Sequence, residues 1–343
     1  MLKENQFAIR RALFSQSRST SLARNFMHYL ITGGAGFIGS AIVEELLKRG
    51  ERVRIIDNFS TGFRENIAHA IDKIEVVDGD IRNFHTVLKA VQGVDCILHE
   101  AALPSVPRSI QDPVSSNQVN VDGTLNVLWA AKESGVKRVV FASSSSVYGD
   151  TPVLPKQEDM TPGPLSPYAV SKLAGEQYFK VFAGVYGMQT VALRYFNVFG
   201  PRQNPNSQYS AVIPKFITAM LGGKKPVIFG DGTQSRDFTF VANVVEANIR
   251  ASKIEGNGGV VMNCACHGQI SLNELVDRLN VILGTTLKPE YKDTRPGDIK
   301  HSFASIDRMK SVLGFEPGVD FETGLRTTCE FYKQLMKSGK TGS

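Results

Sequence analysis

A phenol and an ammonium one helical turn apart have the clearest chemical use in this sequence. In Ser166-Pro167-Tyr168-Ala169-Val170-Ser171-Lys172, Tyr168 and Lys172 stand at i and i+4. On a helix those side chains share one face. A neighbouring ammonium stabilises a phenolate, so such a tyrosine can move a proton nearer neutral pH. The pair alone is common on ordinary helices. A second run, Phe141-Ala142-Ser143-Ser144-Ser145-Ser146-Val147-Tyr148-Gly149, adds weight by setting hydroxyls just after a β-branched segment. In a parallel sheet that is the carboxyl edge, where ligands bind. A serine there can hydrogen-bond a reacting oxygen.

A third run has the makings of an anion cradle. Thr32-Gly33-Gly34-Ala35-Gly36-Phe37-Ile38-Gly39 follows a β-branched segment and opens a helical one. Gly33, Gly36 and Gly39 allow a tight turn, close approach of a pyrophosphate, and close packing of helix on strand. The helix N-terminus then faces the anion. Asp57 ends the next apolar run, 18 residues beyond Gly39. A carboxylate there can accept from adenosine ribose hydroxyls and repels a 2′-phosphate, which favours NAD over NADP. Asp80 and Ile81, after a further run, are placed to meet the adenine.

These residues need elements to hold them. Strands are predicted over Tyr29–Thr32, Val53–Asp57, Ile74–Val77, Cys96–His99, Arg138–Ala142 and Thr190–Arg194. Helices are predicted between them, including Phe37–Arg49, which Gly50 stops, and Asn117–Glu133. Alternating strands and helices imply an α/β protein with a doubly wound parallel sheet, a Rossmann fold. Beyond about Asn197 the rhythm changes and Pro, Gly and Asn cluster. A smaller mixed α/β C-terminal lobe is expected there, binding the substrate. The division predicted is 27–196 for the dinucleotide-binding part, with 237–262 returning to it, and 197–343 mainly for the second lobe.

Composition narrows the classes further. The 343 residues carry a formal charge of +6, and residues 1–26 hold five basic side chains against Glu4 alone. The rest is near neutral, which is unlike a nucleic-acid binder. No apolar run approaches the roughly 18 residues of a membrane span. Four cysteines without Cys-x-x-Cys spacing argue against a disulfide framework or a zinc site, so no metal and a cytoplasmic location are expected. The Arg- and Ser-rich stretch 1–26 fits a dispensable flexible extension, and also an import signal. It is expected to be unnecessary for folding.

Taken together, T-G-G-A-G-F-I-G, D-N-F-S-T-G, G-D-I, H-E-A-A, N-V-D-G-T, S-S-S-S-V-Y-G, Y-A-V-S-K and R-Y-F-N-V-F-G-P-R resemble the extended short-chain dehydrogenase/reductases, specifically the UDP-sugar 4-epimerases. The resemblance runs in order from Met27 to about Leu335. It implies an enzyme that keeps its NAD, oxidises the 4-hydroxyl of a UDP-sugar, and reduces the 4-keto sugar on its other face. It further implies that Tyr168 takes the hydroxyl proton, that Lys172 lowers the Tyr168 pKa and binds the nicotinamide ribose, and that Ser144 is the catalytic serine. Ser145 and Ser146 are alternatives for that role. By the same likeness Phe37, Ile38, Asp57, Asn58, Asp80, Ile81, Ala101, Asn120 and Phe196 line the cofactor site. Ser105, Ser144, Ser145, Asn197, Arg236, Arg295, Asp298 and Ser302 hold the nucleotide sugar, with a homodimer as the assembly. Arginines suit a diphosphate because their forked donors match its oxygens.

Finer substrate choice rests on two places. His99-Glu100-Ala101-Ala102-Leu103-Pro104-Ser105 lacks the lysine that some members carry, and resembles the subgroup acting on N-acetylated sugars. Ser302, four residues beyond Asp298, stands where restrictive members have a bulky tyrosine, so an acetamido group is expected to fit. A UDP-glucuronate 4-epimerase would share the same catalytic motifs. A dehydratase or decarboxylase would need a carboxyl group where Ser145 and Ser146 stand. A non-catalytic dinucleotide sensor would have no use for Tyr168, Lys172 and Ser144 together.

Overall fold

The computed structural model describes residues 26–205, 211–256, 258–294 and 300–338. Residues 1–25, and with them the expectation of a dispensable extension, lie outside these. So do Arg295 and Asp298.

The β-branched runs form seven strands: β1 (His28–Thr32), β2 (Arg52–Asp57), β3 (Glu75–Asp78), β4 (Cys96–His99), β5 (Arg138–Ser144), β6 (Gln189–Tyr195) and β7 (Val260–Cys264). They make one sheet in the order β7-β6-β5-β4-β1-β2-β3, and every pairing is parallel. The chain leaves β1 for β2 on one side and returns to β4 on the other. A crevice opens at such a reversal, outside the carboxyl ends of the strands. The expectation of a doubly wound α/β fold is met.

Helices cover both faces: α1 (Phe37–Lys48), α2 (Phe84–Ala90), α3 (Gly123–Glu133), α4 (Pro167–Tyr186), α5 (Val212–Leu221), α6 (Val241–Ala251), α7 (Leu272–Leu283) and α8 (Phe321–Lys337). Side chains alternate across a strand, so Tyr29 and Ile31 join one apolar layer and Leu30 the other. The first layer includes Ile42, Val43 and Leu46 of α1 and Val244 of α6; the second includes Val127 of α3 and Phe179 of α4. No helix among the described residues is long and apolar enough to cross a membrane.

Several elements differ from expectation. β5 runs two residues further, to Ser144, so the first two serines belong to the strand. The helix expected from Asn117 begins as a separate turn of helix, Pro113–Asn117, and widens to π geometry over Gln118–Asp122 before α3. β7 is not among the predicted strands. Beyond Tyr195 the chain forms short pairs, of which Ser235–Arg236 matters most, lying between Ile270–Ser271 and His301–Ser302.

One buried ion pair locks the sheet to α4. Glu176 is fully buried and Arg194 is 2% exposed. Arg194 donates Nε to Oε1 at 2.9 Å and Nη2 to Oε2 at 2.8 Å, a bidentate pair. Ser143 Oγ donates to the same Oε1 at 2.6 Å. The end of β5 is thereby fastened to α4 and β6. Breaking a buried pair leaves a charge without a partner, at a cost of about 3–5 kcal/mol. Glu176→Gln is therefore expected to lower unfolding free energy by about that amount in urea titrations. A midpoint equal to wild type would show that the pair is not needed for stability.

Candidate active site

A cleft of about 770 Å³ follows the carboxyl edge of the sheet. At one end Gly33, Gly36 and Gly39 form the turn between β1 and α1. Gly33 has φ +71°, and a Cβ there would stand 2.8 Å from the Ala101 amide nitrogen; at Gly39 it would stand 2.2 Å from the Gly33 carbonyl oxygen. Only a bare backbone allows this approach. Phe37 and Ile38 open α1 and also line the cleft, so the N-terminus of that helix borders it.

Asp57 closes β2 at the same end. Its Oδ2 accepts from Ala35 N at 2.9 Å and its Oδ1 from Phe59 N at 2.8 Å. Burial raises its pKa against those two bonds. A carboxylate has about four acceptor sites, so two remain for ribose hydroxyls. Asp80 differs. Arg82 hydrogen-bonds it, and its pKa falls to about 2 despite partial burial. Asn58 Nδ2 also donates to it, at 2.8 Å. The residues here fit a dinucleotide: a side-chain-free turn, a helix start and a carboxylate at the second strand.

The other end is built on α4. Ser166 caps it by accepting from Ala169 N at 3.1 Å, and Pro167 occupies its first position. Tyr168 follows, its own amide donating to Ser109 Oγ at 3.0 Å. Ser144 pulls the phenol pKa of Tyr168 down; burial outweighs this and the net shift is upward. Lys172 is 3% exposed and donates Nζ to the Ala142 carbonyl at 2.7 Å. Its Nζ lies 5.9 Å from the Tyr168 ring centre. Burial lowers its pKa to about 8, with Glu100 opposing. In this structure the Lys172 ammonium is committed to a backbone carbonyl, and Ser144 is the group that opposes burial of the phenol.

The cleft brings together the three glycines, Phe37, Ile38, Asp57, Asn58, Asp80, Ile81, Ala101, Ser105, Ser144, Tyr168, Lys172 and Asn197. Other predicted residues stand elsewhere. Asn120 is 1% exposed and works from behind the wall. Its Oδ1 accepts from Leu103 N at 2.8 Å and its Nδ2 donates to Ser171 Oγ at 3.1 Å, clamping the loop after β4 to α4. Phe196 is fully buried and packs against Tyr148. Ser145 lies in the short turn after β5 and is not part of the wall. Arg236 and Ser302 are not wall residues either, but they are register partners on adjacent strands, so the two sit side by side. Arg236 Nη1 donates to the Ser235 carbonyl at 2.9 Å.

Sequence reasoning missed Glu100 and Tyr195, both in the wall. Glu100 Oε1 accepts from Tyr195 OH at 2.8 Å, and burial pushes the carboxyl up to about 7. The available signal was an acid directly after an apolar strand, in His99-Glu100-Ala101-Ala102. Among the described residues no group of three His, Cys, Asp or Glu side chains could hold a metal ion.

A glycine turn, a β2 carboxylate and a Ser–Tyr–Lys constellation at one sheet edge define a dinucleotide-dependent enzyme that moves protons at a substrate hydroxyl. Residues 29–265 match the NAD dependent epimerase/dehydratase family, and the chain belongs to it. A UDP-glucose 4-epimerase of Mycolicibacterium smegmatis is 40% identical over 90% of this chain and 99% of its own. Among solved structures, the UDP-N-acetylglucosamine 4-epimerase of Methanobrevibacter ruminantium M1, in complex with UDP-N-acetylmuramic acid, superposes with a TM-score of 0.87. It is 42% identical and is matched over 91% of this chain and 99% of its own. The Thermus thermophilus UDP-glucose 4-epimerase, in complex with NAD, gives 0.81 at 35% identity over 90% and 99%.

The Asp57 carboxylate leaves no counter-charge for a 2′-phosphate. Denaturing the purified protein is therefore expected to release NAD, read by chromatography of the supernatant. NADP as the main species would remove Asp57 from the selecting role.

Proposed function

We propose that this chain is an NAD-dependent 4-epimerase of UDP-hexoses and UDP-N-acetylhexosamines. The observation that carries the reading is that Ser144, Tyr168 and, one turn on, Lys172 line one cleft with the glycine turn. NAD, when bound, accepts the hydride from C4 of the sugar and returns it to the opposite face. Gly33, Gly36, Phe37 and Ile38 would hold its pyrophosphate, Asp57 its adenosine ribose, and Asp80 and Ile81 its adenine. Tyr168 takes the C4 hydroxyl proton and gives it back after the keto sugar has turned. Ser144 bonds the same oxygen and keeps the Tyr168 hydroxyl aimed at it. Lys172 supplies positive charge close to the phenol, where a developing phenolate needs it.

We assign the nucleotide sugar to Asn197 and Arg236 and, from their sequence motif alone, to Arg295 and Asp298, with Ser302, beside Arg236, leaving room for a C2 acetamido group. We divide the chain accordingly: 27–196 with 237–262 for the cofactor, the remainder mainly for the substrate. The pairing of β7 on β6 and the packing of α6 on α1 support that division. A cytoplasmic location fits four free cysteines. Incubation with UDP-Glc, UDP-GlcNAc and UDP-GlcUA separately, with the 4-epimers then resolved, tests the substrate range. Conversion of UDP-GlcUA alone would favour a glucuronate 4-epimerase. Tyr168→Phe keeps the ring and removes the proton carrier. Turnover is expected to fall by about 10²–10⁴-fold with NAD still bound, and near-normal turnover would refute the role of Tyr168.

The assembly we propose is a homodimer formed through α3 and α4. Trp129, Val181, Val185 and Tyr186 expose 38–66% of their surfaces there. Contiguous exposed apolar residues on paired helices mark an interface. Sedimentation at twice the chain mass is expected; a monomer at micromolar concentration would overturn it.

A further inference from the structure

Glu100 stands at the carboxyl edge of β4, one residue beyond the His99–Phe141 register pair, and so next to Ala142 of β5. Ala142 is the residue whose carbonyl receives the Lys172 ammonium. From β6, Tyr195 OH donates to Glu100 Oε1 at 2.8 Å. From α6, Asn248 Nδ2 donates to Tyr195 OH at 2.6 Å and also to the Val244 carbonyl at 2.9 Å. The second of these bonds fixes the amide orientation. Tyr195 must then be acceptor toward Asn248 and donor toward Glu100. The chain of bonds ends on an acceptor, and its direction suits an ionised carboxylate.

An anion held in that wall calls for a counter-charge. The titratable groups facing it are Tyr195 of β6, Cys264 of β7 and Lys172 of α4. Tyr195 and Cys264 are both held neutral by burial, their pKa values well above the ordinary range. His99, next in sequence, has both ring nitrogens engaged, by Thr32 and Thr124, and its pKa falls to about 3. Among the described residues Lys172 is the one cation in electrostatic reach of Glu100.

We infer that Glu100 is a positioning residue of this site, its carboxylate being the negative partner that keeps the Lys172 ammonium charged beside Tyr168. The inference rests on the function proposed above, and extends it to a residue to which the sequence motifs assigned no role. Tyr195 and Asn248 have the secondary task of holding that carboxylate toward the lysine. Without Glu100, burial alone would govern Lys172, and its proton would be lost at lower pH.

The test is a titration of Lys172 itself in the full-length holoprotein, by NMR of protein labelled with ¹³Cε-lysine. The Lys172 signal is assigned by its disappearance in Lys172→Arg. Glu100→Gln keeps the volume and still offers Tyr195 an acceptor, so only the charge is lost. Its Lys172 midpoint is expected about one pH unit below wild type, the low end for removing a nearby opposite charge. Glu100→Asp keeps the charge, and its midpoint should stay nearer wild type than that of the Gln variant. In the active enzyme the basic limb of the kcat profile should move with the midpoint. An unmoved midpoint in Glu100→Gln, or an equal fall in both variants, would overturn the inference. Should the Gln variant not fold, an Asp midpoint a full unit low would overturn it as well. Wild-type protein that converts no UDP-sugar would instead defeat the function proposed, while the lysine titration still decides on Glu100.

Discussion

The buried ammonium of Lys172 is the constraint on which the site is built. A charge with 3% of its surface in water either finds partners or loses its proton. Its hydrogen-bond partner is the carbonyl of Ala142, two residues before Ser144. That bond requires α4 to lie across the end of β5 at one height. Glu176, one turn beyond Lys172, fixes the same height from within by taking Ser143 and Arg194 together. Tyr168, Lys172 and Glu176 thus form a stripe at i, i+4 and i+8, which a helix presents on one face. Lys172 and Glu176 each read an atom of one short segment, the Ala142 carbonyl and the Ser143 hydroxyl, while Tyr168 lines the same cleft as Ser144. A sliding of α4 by one residue would break both bonds.

The cofactor end obeys a different rule, because its carboxylates meet backbone amides and an exposed guanidinium rather than a buried cation. Asp57 is raised by burial and steadied by two backbone N–H groups. Asp80 is lowered by the Arg82 guanidinium beside it. Two aspartates at neighbouring strand ends therefore differ in acidity through their partners alone. The Asp57 oxygens keep free acceptor sites for a ligand, whereas Asp80 already receives Asn58 and a guanidinium. On the function proposed, selection at the ribose accordingly falls to Asp57.

What was legible in the sequence was what is local in the chain. The glycine turn, Asp57, and the Tyr168/Lys172 pair are each set by a few consecutive residues, and the parallel sheet by the alternation of strands and helices. Exposure was not legible. Asn120 and Phe196 belong to the expected motifs, yet one clamps a loop from behind and the other fills the core, because a motif marks a position and not a surface. Nor were contacts set by strand order. Glu100 acquires its partners only because β4, β5 and β6 lie side by side, and β7 is a short apolar run that becomes a strand through its pairing with β6. Among the serines, Ser143 and Ser144 look alike in sequence. The structure separates them: alternation along β5 turns one inward to Glu176 and the other toward the cleft.

The small three-stranded sheet is tied to the cleft through Asp237, the neighbour of Arg236. Its carboxyl is fully buried, accepting from Cys266 N at 2.9 Å and Ala304 N at 3.3 Å. Its amide donates to the Ser302 carbonyl at 2.8 Å, and its own carbonyl accepts from Asn197 Nδ2 at 3.1 Å. Burial pushes its pKa up to about 6, and backbone N–H groups work against that rise by bonding the charged form. Asn197, a wall residue of the cleft, adopts φ +35°, a conformation that asparagine tolerates better than most side chains. Its bond to Asp237 holds it there. The register of the Arg236 and Ser302 strands is therefore tied, through one aspartate, to the wall that carries Tyr168 and Lys172. A change in the small sheet would reach the cleft by way of Asn197, with no need for the sheet to form part of the wall.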